Sequence, residues 1–340
     1  MELKRIAIDT SKHVFTLHGV DRQDHAVLRR DLRRSQLEPF FRKVPATEVV
    51  MEACGGSHHW GRLLSRLGHT VKLIPPQYVK PFVKRGKNDR NDAEAINEAA
   101  SRPTMRFVPV KTAIQQAATM ILKTRELLVR QRTQVINAVR GHASEFGVIA
   151  AKGTAQVEPL LERVADDETL PIEAREMIAV LGEQIKDLDI RIAALEARMK
   201  QAHKTNPVSQ LLEGVPGIGP IGALSLAVTV DPAQFHSARH FAAWLGLTPR
   251  ERSTGGKQRM GGISRAGDER LRQLLVIGAT SVIRHVKPGS RNASAWLLSL
   301  LERRPRKVAA VALANKMARV VWAMMTSGEA YRARTVPAMD

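Results

Sequence analysis

Four carboxylates fall where apolar runs end or helical ones begin. Asp9 closes KRIAID, Glu52 closes EVVME, and Asp89 and Asp92 stand together in KNDRNDAEAI. Hard divalent cations such as Mg²⁺ or Mn²⁺ take ligands of this kind. Two such ions held side by side can activate a nucleophile and stabilise a leaving oxygen at a phosphate. The remainder of the chain indicates the substrate class. Its formal net charge is +20 and its pI is near 10.7, which points to a polyanion.

Each acid also has a plainer use. Asp9 in IDTSK suits a turn cap. Asp89 and Asp92, three residues apart in a first helical turn, suit the positive end of a helix dipole. Their setting favours a metal site, because Lys87 and Arg90 surround the pair with cations that could hold a phosphate beside the ion. Glu52 adds weight, since a carboxylate ending a buried strand needs a metal, a proton or a cation to satisfy it. The following Cys54-Gly55-Gly56 allows a backbone or ligand to approach closely. His58 and His59 are read as helix-start or phosphate-facing residues rather than ligands.

The elements that must position these acids can be read from periodicity. KRIAIDTSK and HVFTLHGV alternate like a hairpin, with HAVLRRDLR as a third strand. SQLEPFFRKV reads as a helix with a Ser cap, EVVMEA as a short buried strand, SHHWGRLLSRLGH as a helix ending at Gly68, and TVKLIPP as another strand. Three strands followed by strand–helix repeats give a layered α/β domain over residues 1–110 whose order resembles the ribonuclease H fold. Residues 111–205 read as helical. There Ile178, Leu181, Ile185, Leu188, Ile192, Leu195 and Met199 form a coiled-coil seam, and Ile121, Leu128 and Val135 give a looser repeat on the preceding helix. A hairpin within the chain and a seam between two copies fit that pattern equally.

From 206 to 328 the sequence reads as a mainly helical domain interrupted by glycine-rich loops. GVPGIGPIGA suggests a helix-hairpin-helix DNA-binding loop, with Gly217 and Gly219 at the phosphate; a plain glycine-rich turn is the rival. The basic excess concentrates here, with 18 Lys/Arg against 6 Asp/Glu from Arg250 to Asp340. Residues 329–340 read as a disordered tail. One cysteine excludes an internal disulfide and a Cys-based zinc site. The amino terminus does not read as a signal peptide and no apolar run approaches a membrane span, so a soluble cytosolic protein is expected. Only two tyrosines occur, Tyr78 and Tyr331, and neither has a basic helical context suited to a tyrosine recombinase.

IDTSK, then MEACGGSHHW, then KNDRNDAEAI resembles, in this order, the DEDD insertion-sequence transposases, now called bridge-RNA-guided recombinases. GVPGIGPIGA, FAAWLGLTPRERSTGGKQRMGGISRAGDERLR and the final apolar helix extend the resemblance over essentially the whole chain. It implies a RuvC-like metal domain using Mg²⁺ (or Mn²⁺) and a catalytic serine after GLTPR. In ArgGluArgSerThrGlyGlyLys, Ser253 is that serine for the S-T-G-G branch, with Thr254 as the alternative register. A phosphoserine link would conserve bond energy for rejoining, and Arg250, Arg252, Lys257, Arg259 and Arg265 would contact nucleic acid. The resemblance further implies donor and target DNA, a structured non-coding guide RNA, a homodimer assembling to a tetramer with the serine loop and metal domain contributed by different protomers, no membrane, and a place at the bacterial nucleoid. The runner-up function is a junction-resolvase-like nuclease that hydrolyses DNA with the acids alone. A third, a non-catalytic nucleic-acid binder, explains the charge but not the placement of the acids.

Overall fold

The computed structural model describes residues 3–84, 88–287 and 294–332. Lys87 lies outside the described residues, as do residues 333–340 of the expected tail. The chain divides into two compact units, Met1–Gln116 and Ala117–Asp340.

The first unit is built on a five-stranded sheet of order β3-β2-β1-β4-β5. Its strands are β1 (Arg5–Thr10), β2 (Val14–Val20), β3 (Ala26–Arg33), β4 (Glu48–Glu52) and β5 (Thr70–Ile74). The first three pair antiparallel, whereas β1–β4 and β4–β5 are parallel. Parallel pairing demands crossover segments. These carry α1 (Arg34–Phe41) before β4 and α2 (Ser57–Arg66) between β4 and β5. After β5 come the one-turn α3 (Pro76–Val79) and α4 (Asp89–Ala100). The arrangement is consistent with an RNase H-like domain. The expected Ser cap of α1 is displaced: the helix begins at Arg34, and the Gln36 side chain accepts from the Arg33 backbone N–H at 2.9 Å.

Strand alternation decides which face each residue serves. Ile6 and Ile8 of β1, and Val49 and Met51 of β4, join Phe15, Leu37 and Leu64 in one apolar layer. Ala7 and Val50 face the other way and pack with Ile74, Ala95, Ile96 and Ala99 under α4. The alanines let α4 lie close to the sheet. By the same parity, Asp9 and Glu52 belong to the α4 face.

The second unit is almost wholly helical. Its long antiparallel pair is α5 (Ala113–Glu145), which begins at the unit boundary, and α7 (Ile172–Lys204), with α6 (Val157–Asp166) between them in sequence. Arg125 donates to Glu196 at 2.8 Å, and Arg132 pairs with Asp189; residue numbers rise on one helix as they fall on the other. Ile178 and Ile185 from the heptad seam are buried with Ile136 and Val139 of α5 and Leu160 and Val164 of α6. Met199 packs with Leu122 and Leu224. The seam is thus filled within the chain, and on α5 the fully buried apolar positions are Leu122, Ile136, Val139 and Ala143, with Ile121 and Val135 of the looser repeat half-buried beside them.

Beyond it lie α8 (Pro207–Glu213), α9 (Pro220–Thr229) and α10 (Ala238–Trp244). A two-stranded ribbon of β6 (Pro249–Glu251) and β7 (Met260–Ile263) follows, then α11 (Glu269–His285), α12 (Ala295–Arg303) and α13 (Arg306–Ser327). Helix α13 corrects the expectation that no apolar run nears a membrane span. It has 22 residues and a hydropathy of 1.4 over its best window, enough by length and composition alone. Lys316 and Arg319 interrupt the run in sequence, which hid its length. Its Ala314, Met317, Ala318 and Val321 pack into the core with Phe241, Leu271 and Leu275. Tyr331, placed in the expected tail, also packs against this core.

Candidate active site

Asp9 sits one residue before the end of β1 and Glu52 ends β4, on neighbouring parallel strands. Asp89 and Asp92 occupy the first turn of α4, which Asn88 starts by accepting from the Arg90 backbone N–H at 3.0 Å. The packing of α4 on the sheet therefore carries two carboxylates to the strand ends. Asp9, Asp89 and Asp92 offer oxygens that all lie within 4.8 Å of one another. Glu52 stands outside that trio, but its charge acts on Asp9.

Electrostatics describe the same convergence. Burial, then the charges of Asp92, Asp89 and Glu52, push the Asp9 carboxyl up to about 6. Burial and then Asp92 also raise Glu52. Carboxylates at the dipole end of a helix are ordinary; three of them from two elements, crowded enough for two to raise the proton affinity of Asp9, are not. A divalent cation would relieve that repulsion, and an all-oxygen donor set suits a hard one. The loop after β4 is tied down independently. Thr10 and Cys54 share a hydrogen bond at 2.9 Å, and buried Ser57 donates to the Cys54 carbonyl at 2.9 Å. His58 accepts from the Lys111 backbone N–H at 3.1 Å, a structural use.

The serine lies on the β6–β7 ribbon of the second unit. Gly255 and Gly256 both have positive φ, and Thr254 and Lys257 pair across the turn they form. The S-T-G-G-K run is thus a tight hairpin rather than the open loop that its glycines suggest. Alternation along this arm separates its side chains onto two faces. Arg250, Arg252 and Thr254 line an open recess of about 610 Å³ together with Arg259 and Arg265. On the intervening positions, the Ser253 hydroxyl donates to Glu251 Oε1 at 2.8 Å. Arg250 also serves the ribbon itself, its guanidinium donating to the Ser264 carbonyl at 2.8 Å. Arg252, Lys257, Arg259 and Arg265 are exposed.

The root of the ribbon is fixed by backbone contact that the sequence reading missed. A Cβ on Gly267 would lie 1.8 Å from the Trp244 carbonyl oxygen, and one on Gly246 would lie 2.4 Å from the Ala266 nitrogen. Both glycines have positive φ. Arg272 is buried and donates to the carbonyls of Leu245 at 3.0 Å and Ala266 at 2.7 Å. Its only sequence signal was an arginine at a core-facing position of an amphipathic helix. Gly267→Ala should therefore cost about 3 kcal/mol, read as a lowered thermal midpoint.

Gly217 is likewise explained by packing. It has positive φ, and a Cβ there would sit 2.7 Å from the Gly278 carbonyl oxygen of α11. Gly219, at the start of α9, has open space around it. Arg90 lies 3.9 Å from Asp31 and lines a smaller recess with His18 and Arg29.

The DEDD transposase family matches residues 6–147, the segment that carries all four acids. The transposase family named for IS116, IS110 and IS902 matches residues 209–295, which contain the serine ribbon. The transposase for insertion sequence element IS1111A of Coxiella burnetii is 40% identical over 334 residues, covering 97% of this chain and 92% of that protein. This chain belongs to the IS110 family of DEDD insertion-sequence transposases. The y4pF/y4sB protein of Sinorhizobium fredii is 55% identical over 333 residues, 97% of this chain and 86% of its own length. The transposase for IS1328 of Yersinia enterocolitica is 38% identical over 327 residues, 96% and 98% respectively. The family's chemistry is the cleavage and rejoining of DNA, and its DEDD domain goes with divalent metal.

Proposed function

We propose that this transposase cuts and rejoins DNA through a phosphoserine intermediate on Ser253, with Mg²⁺ (or Mn²⁺) held by Asp9, Asp89, Asp92 and Glu52. The observation that carries the reading is the convergence of three aspartates from β1 and α4 in a protein of charge +20. The bound ion would supply charge neutralisation at a DNA phosphate. The carboxylates fix where that charge is placed. Arg252, Lys257, Arg259 and Arg265, with Arg90 and Lys87, grip phosphates around the reacting strand. The connection between α8 and α9, with Gly219 at the start of α9, serves as a further backbone contact of the helix-hairpin-helix kind.

Sequence choice belongs to a structured non-coding guide RNA that pairs with donor and target DNA, leaving the protein to read backbone shape. The domains are then 1–110 for the metal, 111–205 for helical assembly and 206–328 for the serine. Two protomers pair and two pairs form the tetramer, with the serine of one protomer meeting the metal of another. The setting is the bacterial cytoplasm, at the nucleoid. The test combines protein, element-end and target DNA, RNA transcribed from the element's flank, and Mg²⁺. A denaturant-resistant protein–DNA adduct is expected, whereas hydrolysed ends without any adduct would leave the resolvase-like nuclease in its place.

The metal itself is testable without DNA. Mg²⁺ or Mn²⁺ at 100 times its dissociation constant should stabilise the native fold by about 2.7 kcal/mol. Asp92→Asn should remove most of that gain in a thermal melt, and an unchanged gain would place the ion elsewhere.

A further inference from the structure

We propose that Glu251 is the proton acceptor for Ser253 in strand cleavage and returns that proton in rejoining. The inference rests on Ser253 as the nucleophile and names the group that makes its hydroxyl reactive.

A serine hydroxyl is a weak nucleophile until a neighbouring base takes its proton. Ser253 Oγ donates to Glu251 Oε1 at 2.8 Å, within the reach required of a general base. The contact is built by the ribbon. Glu251 pairs with Met260 on β7, the Arg252 backbone N–H donates to the Arg259 carbonyl at 2.8 Å, and Thr254 pairs with Lys257 at the turn. Along an arm paired in this way, side chains two apart share a face. Glu251 and Ser253 therefore stand together on the face opposite Arg250, Arg252 and Thr254. No ion pair ties up the Glu251 carboxylate among the described residues, and its side chain accepts from the hydroxyl it would deprotonate.

In the cleavage step, the Ser253 Oγ lone pair forms the new O–P bond. The P–O bond to the departing deoxyribose oxygen breaks, and that oxygen leaves with the bonding pair and takes a proton from solvent. The hydroxyl proton passes to Glu251. In rejoining, a deoxyribose hydroxyl attacks phosphorus, its proton passes to solvent, and Glu251 protonates Ser253 Oγ as the serine leaves. Glu251 acts through Ser253 and touches no DNA, so it is a positioning and proton-holding residue.

The test uses full-length protein with RNA and element-end DNA, following adduct formation and resealing in single turnovers. Glu251→Gln keeps a carbonyl oxygen that accepts the serine hydrogen bond but cannot take its proton. It should slow both adduct formation and resealing by about 100-fold, with DNA binding unchanged and the residual adduct still on Ser253. Glu251→Asp should recover part of the loss. A Glu251→Gln protein that forms and reseals adduct at the native rate would sink the proposal, because a merely structural bond survives that change. Adduct formation that persists in Ser253→Ala would overturn the nucleophile assignment itself, a result readable without any Glu251 variant.

Discussion

Asp9→Asn should give a protein that melts higher than the native chain in the absence of metal yet no longer cleaves DNA. The two effects have one cause. The Asp9 carboxyl is raised to about 6 by burial and by Asp92, Asp89 and Glu52, so its ionised form is disfavoured in the folded state. The folded protein binds a proton there more tightly than the unfolded chain, whose Asp ionises near the ordinary 3.8. Metal-free stability should therefore rise as pH falls from above 6 towards 3.8, opposite in sign to the usual salt-bridged Asp. At neutral pH an amide removes the repulsion. Because the site is half exposed, solvent screening trims the benefit to about 1 kcal/mol. Cleavage should fall by on the order of 10³-fold or more, since the same charge would hold the cation. Thermal melts at pH 7.5 with EDTA, alongside adduct formation with Mg²⁺, check both halves. A less stable metal-free Asp9→Asn protein would mean that Asp9 is held by a cation of the chain itself.

The first unit was largely legible because its chemistry and its packing share one pattern. Alternation in KRIAID puts Ile6 and Ile8 in one layer and Ala7 on the other face, and the next residue on the Ala7 parity is Asp9. The same count in EVVME carries Glu52 to that face. Asn88 and the two acids behind it mark the α4 start by local capping chemistry. The trio's proximity was not legible, because it depends on where α4 settles, and that is set by Ala93, Ala95 and Ala99 packing at long range in sequence.

The second unit was harder for physical reasons. Its ribbon consists of strands of three and four residues, too short for periodicity to register. The glycines of S-T-G-G read as part of a glycine-rich loop, and they specify a turn. Gly246 and Gly267 read as loop composition and Gly217 as a phosphate contact, although each marks a place where two backbones touch. The heptad on α7 was visible, but a heptad records that a face is buried and not what buries it. Arg125–Glu196 and Arg132–Asp189 supply that answer within one chain.

Ser253→Ala should abolish the protein–DNA adduct, while Thr254→Ala leaves it. The two hydroxyls are neighbours in sequence but occupy opposite faces of one ribbon, in opposite chemical settings. Thr254 opens on the recess lined by Arg250, Arg252, Arg259 and Arg265, where phosphate charge is easily neutralised but no carboxylate lines the wall to take a proton. Ser253 has the proton acceptor, Glu251 at 2.8 Å. Phosphoryl transfer needs both services. In a site completed by a divalent ion, the metal would supply charge neutralisation, and the scarcer requirement is a base at the nucleophile. That favours Ser253 and leaves Thr254 and its arginines to grip the neighbouring phosphate. Ser253→Ala should then retain DNA binding within about twofold while adduct falls below detection, a loss on the order of 10⁴-fold. Thr254→Ala should weaken binding severalfold and still form adduct. Peptide mapping of the trapped adduct decides between them, and phosphate found on Thr254 would mean that arginines matter more here than the base.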